Sequence, residues 1–156
     1  MTPLDVLGVR VELPTNQPIV LLRERDGARH LPIWIGAAEA TAIAYAQQGV
    51  TPPRPLTHDL LINVIGALGS ALTTVRIERI TEGVYYATLV LADGVEVDSR
   101  ASDAIALALR AGAEVVTAEE LLESSGVLIP AEADDEVEKF KEFLDHVSPE
   151  DFEAEK

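Results

Sequence analysis

The sequence predicts an α+β fold: two similar strand-strand-strand-helix-helix units forming a mostly antiparallel or mixed sheet packed with helices, followed by an acidic helical tail. Three observations carry this reading. Short apolar or alternating segments come in triplets, each triplet running into an alanine-rich helix. The two strand-to-helix junctions, Ile33 to Ala46 and Val97 to Gly112, can be laid over each other. With Gly36 on Arg100, the pairs Ala37/Ala101, Glu39/Asp103, Ala40/Ala104, Ala42/Ala106 and Ala44/Ala108 coincide at one offset, the signature of a duplicated unit. Past Pro130 the composition changes abruptly, because Phe140, Phe143 and Phe152, the only phenylalanines, all lie there. The chain therefore divides into a domain at 1–130 and a tail at 131–156.

In chain order, Val9, Val11 and Leu13 alternate with Arg10 and Glu12 as a strand with one wet face, and Pro14 to Pro18 makes a turn. Ile19 to Glu24 is a second strand, Asp26-Gly27 a tight turn with positive φ, and Arg29 to Ile35 a third strand. Pro32 removes a ladder donor from that strand and marks it as an edge. A helix from Ala37 to about Gln48 stops at Gly49, and Thr51 to Pro55 is too proline-rich to be helical. Thr57 reads as the N-cap of a helix with Leu60, Leu61, Val64, Ile65 and Leu68 turned inward, closing at Gly69.

The pattern then repeats. Thr73 to Ile80, Val84 to Leu91 and Val95 to Ser99 are strands, the latter two joined at Asp93-Gly94, and a helix follows. Glu114 to Val116 is a short strand, and Thr117 to Glu120 reads as a capping box opening a helix that ends near Gly126. In the tail, Val137, Phe140, Leu144 and Val147 share one face of a short amphipathic helix, and Ser148-Pro149-Glu150-Asp151 signals a second helical start.

Composition bounds the function. A chain of 156 residues holds one domain with a hydrophobic core. No apolar run is long enough for a membrane span and the N-terminus lacks signal-peptide character, so the expected location is cytoplasmic, with no membrane partner. The absence of cysteine excludes disulfides, thiolate metal sites and a cysteine nucleophile. The net charge of -15 arises from 11 acids and 3 lysines in residues 131–156, which give -8, and from 16 acids and 9 arginines in residues 1–130, which give -7. No basic stripe is present, so a nucleic acid would have to be held locally rather than by a broad cationic surface.

Three phrases stand in one order: Leu31 to Ala44 (LPIWIGAAEATAIA), Pro53 to Leu61 (PRPLTHDLL) and Asp98 to Ala108 (DSRASDAIALA). Together they resemble the bifunctional nuclease family, over roughly residues 3 to 128. The resemblance implies an α/β domain that associates as a homo-oligomer (dimer or higher), and an activity described for plant relatives as cleavage of both DNA and RNA. The family phrase usually has proline where this chain has Ala101, which leaves helix formation intact. The further interaction motif of many plant members is not found in the acidic tail, so regulatory roles tied to it are not carried over.

A phosphodiesterase without cysteine uses either metal-bound water held by convergent carboxylates or histidines, or acid–base groups with a cationic clamp. For the first, Asp98, Asp103, Glu39 and Asp59 are oxygen ligands suited to magnesium or manganese, with His58 as a nitrogen ligand. For the second, His58 moves protons while Arg54 and Arg100 bind the phosphate. The expected catalytic residues are thus His58, Asp59, Asp98 and Asp103, acting with a divalent cation, magnesium or manganese, at Asp98, Asp103 and Glu39. A plainer role competes for some of them: if Gly36 and Arg100 are N-caps, Glu39 and Asp103 both sit at N3, where a carboxylate complements the helix dipole. No phosphate-cradling glycine loop, G-x-S-x-G elbow or H-E-x-x-H motif occurs. The alternatives to an enzyme are a non-catalytic oligomeric interaction or regulatory module with an acidic partner-binding tail, and a binder of a small cationic ligand or structural metal.

Overall fold

The computed structural model describes residues 1–12 and 14–129; Leu13 and the whole acidic tail, with its two expected helices, lie outside the described residues. The first unit is β1 (Thr2–Glu12), β2 (Gln17–Glu24), β3 (Arg29–Trp34), α1 (Ala37–Gln48) and α2 (Thr57–Ala67). The second is β4 (Leu72–Thr81), β5 (Val84–Leu91), β6 (Glu96–Arg100), α3 (Ala101–Ala111), β7 (Glu114–Thr117), α4 (Glu119–Ser125) and the two-residue β8 (Val127–Leu128). The expected α+β architecture is present, as a single mixed sheet in the order β6-β5-β4-β7-β1-β2-β3-β8. Each repeat keeps its own antiparallel meander, β1-β2-β3 and β4-β5-β6. The second repeat differs by inserting β7 between its helices; this strand joins the meanders, parallel to β4 and antiparallel to β1.

The repeat is visible in the helix ends as well. Gly36 and Arg100 are the N-caps of α1 and α3, while Gly49 and Gly112 end those helices in the left-handed region at φ 68° and 66°. The amides that follow, Val50 and Ala113, donate to Tyr45 O and Ala108 O at 3.0 Å, closing both helices with the same six-residue loop. The offset is 64 residues at the caps and 63 at the glycines, because α3 is one residue shorter.

The core is built on α3. Its Ala101, Ala104, Ile105, Ala106, Leu107 and Ala108 are all buried, together with Val20, Leu22, Leu31, Ile33, Val75, Ile77 and Leu89 from the inner sheet face. Alanine on so many sides lets the strands approach the helix closely, so an added methylene at these positions is expected to cost about 1–3 kcal/mol through overpacking. The sheet is bent around this helix. Tyr85 on β5 donates its hydroxyl to the Pro32 carbonyl on β3 at 3.5 Å, although the two strands are five positions apart in the sheet. In a flat sheet that separation would be about 24 Å.

Several boundaries differ from the sequence reading. The residue that caps α2 is Leu56, not Thr57, because Asp59 at N3 accepts the Leu56 amide at 3.0 Å and fixes the first turn one residue earlier. Thr117 opens no helix: it ends β7 and donates its hydroxyl to Ile77 O at 2.8 Å, leaving Ala118 as the N-cap of α4. Gly27 turns without positive φ. Pro32 lies past the two rungs, Arg29↔Leu128 and His30↔Val127, that β8 adds to β3. The largest departure is α2. Leu60, Leu61, Val64 and Leu68 are 53, 41, 43 and 81% exposed rather than inward, and the helix buries only part of Ile62 and Ile65.

Candidate active site

Bending brings the two strand-to-helix junctions together, and the side chains at their helix starts meet. Arg100, the N-cap of α3, donates Nε to Asp103 Oδ2 at 2.8 Å and Nη2 to Glu39 Oε1 at 3.0 Å. The N3 carboxylates of both repeats are therefore tied to one guanidinium. Asp103 uses its other oxygen, Oδ1, to contact His58 Nε2 from α2 at 2.9 Å. Burial of Asp103 favours its neutral form, but hydrogen bonds from Arg100 and His58 outweigh it and hold the carboxyl below its ordinary range. An ionised carboxylate only accepts, so Nε2 is the protonated nitrogen of His58, and in the neutral ring Nδ1 carries the lone pair.

A second clasp fastens the same two helices. Arg110, seven residues and about two turns beyond Asp103 on α3, donates Nε to Asp59 Oδ1 at 2.8 Å and Nη1 to Ala106 O at 2.9 Å. The Arg110 guanidinium and the Leu56 amide hold Asp59 below the usual carboxylate range. Adjacent residues of α2, His58 and Asp59, thus dock on opposite ends of one face of α3.

These groups sit in a cleft of about 1110 Å³ whose walls include Tyr45, Leu56, Leu61 and Leu107, with Asp98, Ser99 and Arg100 at the β6 end. Glu39, His58, Asp98, Arg100 and Asp103 all line it. Asp59 is set back, engaged by Arg110. Asp98 is exposed on the edge strand opposite Thr88, and its side chain makes no hydrogen bond or ion pair among the described residues. Arg54, exposed in the proline-rich connection, is not among the residues lining the cleft. Arg110 does line it, and the sequence marked it only as one of nine arginines. The usable signal was its spacing from Asp103 on a helix whose other faces are apolar.

The fit to a divalent cation is poor in this arrangement. Both oxygens of Asp103 and one of Glu39 face positive or donor groups, and among the described residues no three histidine or carboxylate side chains converge as a metal-binding set.

The chain is thus an α+β domain with a duplicated strand-to-helix unit, whose helix starts present a linked histidine, carboxylate and arginine in a cleft. The family model for the bifunctional nuclease domain matches residues 20–130, and the chain belongs to that family. It is also 53% identical to the uncharacterized protein Rv1829 of Mycobacterium tuberculosis H37Rv, across 99% of each chain. The uncharacterized protein MT1877 of the CDC 1551 strain matches to the same extent. Among the described residues, no helix is long and apolar enough to cross a membrane.

Proposed function

We propose that this protein is a phosphodiesterase acting on DNA and RNA, using acid–base chemistry at His58 with Arg100 as the phosphate clamp. The observation that carries the reading is the His58–Asp103–Arg100 chain of contacts in the cleft. Asp103 orients the imidazole, as a carboxylate does for a catalytic histidine generally, leaving Nδ1 to take a proton from attacking water. The water oxygen bonds to phosphorus as the bond to the leaving sugar oxygen breaks, and the proton on His58 is available to that oxygen. Arg100, with a side chain 64% exposed, keeps donors beyond those it gives to Asp103 and Glu39 for the phosphoryl oxygens. Asp98 on the open rim is read as a further substrate contact, and Arg54 as a second phosphate contact outside the cleft.

The test is cleavage of single-stranded DNA and RNA by the purified full chain, with and without chelator, beside His58→Ala and Arg100→Gln. Activity lowered in both variants and retained in chelator supports the acid–base reading. Activity abolished by chelator moves the chemistry to a metal, and activity unaffected in both variants removes this site.

A second reading has its own observation. The exposed ridge Leu60, Leu61, Val64 and Leu68 on α2 is the kind of apolar surface that a partner covers, and it supports self-association of the domain, with or without catalysis. Sedimentation of the full chain tests it.

A further inference from the structure

The helix that carries His58 is the least embedded of the described helices. No residue of α2 is buried, whereas α1, α3 and α4 each bury at least two. Only His58, Asp59, Ile62 and Ile65 of α2 are half-buried. They fall at i, i+1, i+4 and i+7, so half of the stripe on which the helix rests is polar. Open space borders this stripe twice: in the cleft, and in a second cavity of about 350 Å³ bounded by Tyr45, Gly49, Thr51 and Asn63, with Arg110 lining both. Pro52, Pro53 and Pro55 precede the helix, and Gly69 follows it at φ 80°.

Packing this thin leaves the placement of the imidazole to side-chain contacts. The bond between His58 and Asp103 is a single anchor, about which α2 is free to roll. Asp59, the next residue, projects about 100° farther round the helix. Its partner Arg110 lies seven residues past Asp103, about 10 Å along α3. Two anchors so separated fix both the roll of α2 and its crossing of α3. Arg110 suits this task and not a phosphate: its side chain is 10% exposed against 64% for Arg100, and its Nε is given to Asp59 at 2.8 Å. Among the described residues no hydrogen bond or ion pair joins it to His58, Asp103 or Arg100. We infer that Asp59 and Arg110 are positioning residues, a clasp that sets α2 so that His58 meets Asp103; without it, α2 swings away and carries the imidazole out of the cleft. Asp59, expected among the catalytic residues, then acts through its neighbour. The effect on rate rests on the phosphodiesterase reading, while the effect on His58 itself does not.

The test uses the full chain with Arg110→Met, which keeps the buried stem and removes the guanidinium, with Asp59→Asn, and with both. Modification of His58 by diethyl pyrocarbonate is followed by peptide mass, beside kcat and KM on single-stranded DNA, circular dichroism being unchanged. In Arg110→Met, His58 is expected to react about threefold faster or more, through local opening of α2. Its kcat is expected to fall about tenfold or more, while KM stays within about twofold because Arg100 is untouched. The double variant is expected to be no slower than Arg110→Met alone, as for two groups that act as a pair. His58 reacting at the wild-type rate overturns the inference, as do losses that multiply in the double variant. If the wild type cleaves no nucleic acid, the phosphodiesterase reading fails, and faster modification of His58 in Arg110→Met still supports the clasp. Should Arg110→Met not fold, Asp59→Asn alone carries the same expectation, and an unchanged His58 rate in it overturns the inference.

Discussion

Asp103 accepts hydrogen bonds from two sources at once, Arg100 three residues before it and His58 forty-five residues before it. The local bond is the helix-start role that any N3 carboxylate can fill. The distant one recruits an imidazole from another helix and turns a capping residue into part of a cleft.

Replacing His58 by alanine is expected to lower kcat on both DNA and RNA by about 10²–10⁴-fold, the usual contribution of a positioned acid–base group. Asp103→Asn keeps the volume but offers Nε2 an amide in place of a carboxylate, and should lower kcat by at least about tenfold through loss of the oriented tautomer. Steady-state rates with circular dichroism as a fold control check both; wild-type kcat in either variant contradicts the assignment.

Arg100 separates clamp from scaffold. Arg100→Lys keeps the charge but cannot bridge Glu39 and Asp103 with a planar fork while facing a phosphate. Its KM is expected to rise about as much as that of Arg100→Gln, on the order of tenfold for one charge-assisted contact. Full rescue by lysine would show that only charge matters.

Gly36 is a close-approach position. A Cβ there would fall inside the van der Waals surface of the Glu39 carboxylate, while its φ of -79° suits any residue. Gly36→Ala should therefore fold, displace Glu39 and release Arg100 Nη2, seen as a changed Arg100 side-chain resonance. By contrast Gly112→Ala, at φ 66°, should cost about 1 kcal/mol in denaturant unfolding.

Acid stability should report Glu24. Hydrogen bonds from the Arg29 side chain and backbone hold its carboxyl at about 2, against a usual 4.5. A depressed folded value means that the stabilisation is complete above about 4.5 and is lost as pH falls from there toward 2. Urea midpoints of wild type and Glu24→Gln should differ most near neutrality and converge across that window. A constant difference from pH 5 to 2 would contradict the linkage.

Leu68 is 81% exposed and Leu60 53% exposed, so Leu60→Glu with Leu68→Glu should leave monomer stability within about 0.5 kcal/mol. If the α2 ridge is a self-association surface, the same change lowers the sedimentation mass. An unaltered mass with an oligomeric wild type places the interface elsewhere.

Much of this was legible from the residues. The triplets of strands, the two alanine-rich helices, their glycine ends and the Glu39/Asp103 correspondence are short-range patterns, each set by spacings of two to four residues. The inward assignment of Leu60, Leu61, Val64 and Leu68 failed because an amphipathic stripe says only that a helix has an apolar side, not that its own chain covers it. Thr57 and Thr117 were misread as caps because a carboxylate at N3 and a strand carbonyl competed for the same turns.

The sequence by itself determined the repeated units, the two helix starts with their carboxylates and the acidic end that sets the tail apart. Only the tertiary structure decided that these starts meet. That depended on β7 joining the two meanders and on small side chains along α3 letting the sheet curl around it. Pairing of distant strands and curvature of a sheet are sums over many long-range contacts, and no local spacing records them. Arg100 reaching Glu39, and His58 reaching Asp103, are consequences of that curl.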